Sequence, residues 1–145
     1  MIAGFFKRLS AGAEQGLSVD DERLALTALL VRIARADEHY SGEEMDQIDK
    51  VLARRYALSP FEAAALRREG EAVEADAPDT VRFTRAIKDA VPHDERTRVI
   101  EALWRVVLAD GVRDAEEDAV VRLAANLLGI NDRDSALARQ RVSAA

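Results

Sequence analysis

The same acidic turn occurs twice in this chain, and each copy joins two apolar helical patterns. Ala36-Asp37-Glu38-His39-Tyr40-Ser41-Gly42-Glu43-Glu44 recurs in the second half as Ala109-Asp110-Gly111-Val112-Arg113-Asp114-Ala115-Glu116-Glu117. The segments leading in, Leu24 to Ala36 and Val99 to Leu108, are apolar on almost every side, which calls for helices with little exposed face. The segments leading out keep helical spacing, through Met45, Ile48, Val51 and Leu52 in one copy and Val120, Val121, Leu123, Ala124, Leu127 and Leu128 in the other. A further helix start follows each: Ser59-Pro60-Phe61-Glu62, with Ser at N-cap and Pro at N1, and Asn131-Asp132-Arg133-Asp134. Arg32 thus aligns with Arg105, Ile33 with Val106, Ala36 with Ala109 and Ile48 with Val121, and one deletion before Gly129 brings Leu58 onto Ile130. Two copies are too few for a solenoid. The expectation is an all-α fold: a compact bundle of about seven to eight helices, internally duplicated with pseudo-twofold symmetry, the two apolar helices at its centre.

Local signals set the boundaries. Ser18 before Asp20 and Asp21 opens the first long helix, and Ser41 with Glu44 makes a capping box that Asp114 and Glu117 repeat in acidic form. Gly129 reads as a C-cap. Between the halves, Phe83, Ala86, Ile87, Ala90 and Val91 space as a helix. The helix after Ser59 carries Arg67, Arg68, Glu69, Glu71 and Glu74, which predicts a surface position. Residues 1–17 form an N-terminal amphipathic segment and linker, and 18–145 the helical domain, with repeat halves of about 18–75 and 92–142.

Composition narrows the functions. A net charge of -6 argues against a nucleic-acid surface, and the absence of cysteine removes disulfides and thiolate metal sites. No apolar run approaches the ~20 residues of a membrane span, and the expected location is the cytoplasm. Ile2, Phe5, Phe6 and Leu9 share one stripe of a short helix, read either as folding onto the domain or as a peripheral membrane contact beside Lys7 and Arg8. No HExxH, Walker A, Rossmann or GxSxG pattern occurs, and with two histidines there are few candidates for nucleophile–base chemistry. A non-enzymatic protein is expected. His39 and His93 read as solvent-facing loop residues, with His39 an additional nitrogen ligand for Zn²⁺ if the turn holds that metal.

The acids of the turns divide into two kinds. Glu43, Glu44, Glu116 and Glu117 sit in first helical turns, where the macrodipole favours negative charge by about 0.3–1 kcal/mol at an exposed end. Asp37 and Asp110 end helices, where the dipole disfavours an anion. Their partner is either the backbone N–H groups of an Asx-turn or a hard cation held by oxygen ligands. An EF-hand does not fit. With Asp37 at position 1, Ser41 and Gly42 suit positions 5 and 6, but position 12, which needs a bidentate Glu, falls on Ile48. Arg32 and Arg105, one turn before the aspartates, read as neutralising the acidic ends or as exposed; Trp104 reads as core.

At these turns the chain resembles the tellurite-resistance TerB-like family, in the apolar helix running into Leu108-Ala109-Asp110-Gly111 and then Glu116-Glu117. The first copy departs from the pattern, with Glu38 where Gly is usual and Gly42 later. The resemblance implies a compact all-helical fold in stress-response systems, with protein partners. It also implies acidic residues binding a divalent metal (Ca²⁺, Mg²⁺ or Zn²⁺), which by position would be Asp37, Glu44, Asp110 and Glu117.

Overall fold

The computed structural model describes residues 19–36, 38–76, 80–109 and 115–144. These form seven helices: α1 Val19–Ala34, α2 Gly42–Tyr56, α3 Pro60–Asp76, α4 Thr80–Ala90, α5 His93–Val107, α6 Ala115–Leu127 and α7 Asp132–Ala144. No strand occurs among the described residues. The N-terminal stripe of Ile2, Phe5, Phe6 and Leu9, the caps at Ser18 and Asp114, and Asp37 and Asp110 lie outside them.

α1 is the axis of the bundle. Ala25, Leu26, Ala28, Leu29, Leu30 and Ile33 are fully buried, and the helix packs on α2, α3, α4, α5 and α6. The continuous apolar run predicted this. α5 is the second central element, with Val99, Ile100, Leu103, Trp104 and Val107 buried against α1, α2, α6 and α7. Within the described residues the order is two helical triplets, α1–α3 and α5–α7, joined by α4; in each, the first helix packs most closely on the third.

The helix ends follow sequence chemistry closely. Ser59 and Glu62 exchange bonds at the start of α3, with Ser59 N–H donating to Glu62 Oε1 at 2.9 Å and Glu62 N–H to Ser59 Oγ at 3.1 Å. Asn131 caps α7 by accepting from Asp134 N–H at 2.8 Å. At the end of α6, Gly129 is left-handed (φ 80°) and Ile130 N–H bonds back to Ala125 O at 2.8 Å. α2 ends the same way, with Leu58 N–H on Ala53 O at 3.0 Å, but the left-handed residue there is Ala57 (φ 54°). An alanine Cβ is strained in that region. Ala57→Gly is therefore expected to raise stability by about 0.5–1 kcal/mol, read as a higher denaturation midpoint at unchanged slope.

Arg96, near the start of α5, ties the ends of two other helices. Its guanidinium donates to Lys88 O at 2.9 Å and Val91 O at 3.0 Å, where α4 ends, and to Leu128 O at 3.3 Å, just beyond α6.

α3 lies at the surface as its charge suggested, with Arg68 and Glu69 exposed, but one face packs deep into the bundle. Ala63, Gly70 and Val73 are buried, and α3 is the most extensive neighbour of α1. Many of its charges are not spent on solvent. Arg67 Nε donates to Asp49 of α2 at 2.7 Å and its Nη1 to Glu71 at 3.0 Å, while Glu74 takes Arg32 and Arg35, each at 3.3 Å. The close approach needs Gly70: a Cβ there would lie 2.4 Å from the Thr27 methyl and 3.2 Å from the Thr27 carbonyl carbon.

Candidate functional site

In sequence the two acidic turns fall between α1 and α2 and between α5 and α6. At the first, Glu38 lies in the left-handed region (φ 66°), where the second copy carries Gly111 in sequence. Backbone strain at a charged, exposed residue is held by the contacts around it. Tyr40 supplies one of them. Its hydroxyl donates to Glu71 Oε2 of α3 at 2.7 Å, and the Arg35 guanidinium stands over its ring at 5.1 Å. Arg35 in turn pairs with Glu74. The first turn is thus strapped to α3 through Glu71 and Glu74.

The first-turn glutamates do not behave alike. Glu43 and Glu116 are exposed as expected, but Glu44 and Glu117 are each only 1% exposed. That corrects the reading of all four as acids at exposed helix ends. A buried carboxylate is costly unless it is hydrogen-bonded. Glu44 meets that demand in part through the predicted capping box: Oε1 accepts Ser41 N–H and Ser41 Oγ–H, both at 3.1 Å, while Glu44 N–H donates to Ser41 Oγ at 3.1 Å. Its other oxygen, Oε2, is also buried, as is Oε2 of Glu117.

Of the four residues singled out for metal binding, Glu44 and Glu117 are thus found buried in matching positions, and Asp37 and Asp110 lie outside the described residues. Among the described residues no group of three or more His, Asp or Glu side chains is arranged to hold a metal ion. Both histidines are exposed. Arg32 is half-buried, pairs with Glu74 and stands over the Phe83 ring at 5.3 Å, whereas Arg105 lines a groove between α2 and α5. Trp104 is core, its indole N–H donating to Ser135 Oγ at 3.2 Å. Sequence reasoning missed Tyr40, Glu71 and Glu74 as supports of the turn. The signal was the shared face of Arg67, Glu71 and Glu74 on one helix.

Burial, and next the Glu71 carboxylate, raises the Tyr40 phenol well above its ordinary 10.0. Burial, followed by the nearby Glu22 carboxylate, does the same to Tyr56, whose hydroxyl lies 3.1 Å from Glu22 Oε2. A phenol raised in the folded state gives stability that is complete below the unfolded value of 10.0 and is lost as pH rises toward the folded one. The chain has two tyrosines, so tyrosinate absorbance reports on this pair alone. It is expected to appear together with the loss of helical circular dichroism at alkaline pH. Tyrosinate forming near its ordinary pH in an intact helical protein would contradict the contacts.

Among the described residues no helix is long and apolar enough to cross a membrane. No match was found among curated proteins or solved structures. A family model described as tellurite resistance protein TerB matches residues 23–140, which span α1 to α7 and include both acidic turns. With the all-helical bundle on that span, the chain belongs to the TerB family.

Proposed function

We infer that the chain is a non-enzymatic, cytoplasmic TerB-family module that holds a divalent cation at its acidic turns and acts through protein partners in stress response. The ligands are Asp37, Glu44, Asp110 and Glu117. What supports this reading is the burial of Glu44 and Glu117 at matching positions after the two turns. Carboxylate oxygens suit a hard cation such as Ca²⁺ or Mg²⁺, and such an ion offsets the cost of keeping anions out of water. Ca²⁺ at about 100-fold its dissociation constant is expected to stabilise the EDTA-treated protein by about 2.7 kcal/mol, a rise of about 5–10 °C in Tm. An unchanged Tm for every divalent ion would count against the reading.

The capping box at Glu44 favours a second reading, a purely structural interaction module whose acidic turns are helix caps. On that reading Glu44→Gln and Glu117→Gln lower Tm equally with and without metal. On the first, the loss is larger in Ca²⁺ than in EDTA.

A further inference from the structure

The groove between α2 and α5, about 590 Å³ in volume, reverses the charge of the protein around it. Lys50, Arg54 and Arg55 line it from α2, and Arg98 and Arg105 from α5, against two acids, Glu95 and Glu101. Five cations and two anions give +3 locally on a chain of net charge -6. One of the two acids is already engaged, since Arg141 of α7 donates to Glu101 at 3.1 Å.

The cations are placed by the helices rather than scattered. Gln47, Lys50, Val51 and Arg54 recur at i, i+3, i+4 and i+7 on α2, and Arg98, Ala102 and Arg105 share a face of α5, so the two faces meet across one space. Elsewhere on the molecule Arg32, Arg35, Arg67, Arg122 and Arg141 are each matched to a carboxylate. Lys50, Arg54, Arg98 and Arg105 make no ion pair among the described residues, and Arg55 reaches Glu22 only at 3.9 Å. Part of this has a local reason: Arg54 and Arg55 sit in the last turn of α2, where the macrodipole favours cations. That reason does not extend to Lys50 or Arg98. Lys50 and Arg54, four apart, repel along the helix, and the face of α5 adds further positive charge opposite them.

We propose that this groove binds a small molecule bearing a diphosphate-type oxyanion. Guanidinium forks grip such oxygens in pairs, and the volume lies in the range of small-ligand clefts. The site is separate from the acidic turns and stands whether or not they hold a metal.

The test is a ¹⁵N-NMR titration of the full chain in metal-free buffer with inorganic pyrophosphate and, separately, ADP. Saturable shifts centred on Gln47, Lys50, Arg54, Ala102 and Arg105 are expected. Tighter binding of ADP would assign a nucleotide, and equal binding the diphosphate alone. Arg54→Gln/Arg98→Gln, at two exposed positions, is expected to weaken binding by about tenfold or more. Arg68→Gln/Arg85→Gln, the same charge change on exposed residues outside the groove, should leave it within about twofold. Shifts spread over the surface, an equal loss in both variants, or no saturable shift for either probe at millimolar concentration would overturn the proposal.

Discussion

Gly70→Val is expected to destabilise the protein by about 3 kcal/mol, at the upper end for an overpacked core. The first added atom already collides, since Cβ would stand 2.4 Å from the Thr27 methyl and 3.0 Å from Thr27 Cβ. Thr27 has little room to yield. It is fully buried, and its hydroxyl is held by Arg23 O at 2.7 Å on the same helix. Relief must come from moving α3 away from α1, which opens the most extensive helix contact in the bundle. Valine is the informative choice because alanine would recover about 1 kcal/mol of helix propensity lost at glycine and mask part of the clash. Pairing Gly70→Val with Thr27→Ala should cost less than the sum of the single changes, measured by denaturant unfolding in a double-mutant cycle. Additive costs would mean that the two residues do not meet. The same displacement should slacken the first acidic turn, because Glu71 and Glu74 reach Tyr40 and Arg35 from α3.

Phe83→Ala is expected to cost about 3–5 kcal/mol. Phe83 is fully buried where α4 packs against α1 and α6, and it lies beneath the Arg32 guanidinium at 5.3 Å. Removing the ring leaves a cavity in the element that bridges the two helical triplets and takes away a cation–π contact of about 0.5–1 kcal/mol. Against a total stability of about 5–15 kcal/mol, a fall in Tm of about 10 °C is expected by calorimetry. A loss below about 1 kcal/mol would place Phe83 outside the cooperative core.

Four helix ends were legible because their chemistry is local. Ser41 with Glu44, Ser59 with Glu62, Asn131 and Gly129 each act within five residues of themselves, so the chain spells them out. The central place of α1 was legible for a similar reason: a run apolar on all sides has nowhere else to go. The role of α3 was not. Its charges read as a solvated face, and their partners lie far off in sequence, Asp49 being 18 positions from Arg67 and Glu74 42 positions from Arg32. Gly70 in a helix reads as a weakness until Thr27 is seen against it. At the acidic turns, the family resemblance pointed to Glu44 and Glu117. The repeat itself could not distinguish them from Glu43 and Glu116, because burial depends on which side of each helix start the bundle covers.

The cation at the acidic turns is the central functional claim, and calorimetric titration tests it most directly. EDTA-treated protein would be titrated with Ca²⁺, Mg²⁺, Mn²⁺ and Zn²⁺, beside an Asp37→Asn/Asp110→Asn variant of equal helicity. Saturable binding on the order of micromolar is expected for at least one ion, and its loss in the variant. No heat for any ion, or equal binding by the variant, would contradict the claim and leave the turns as helix-end architecture.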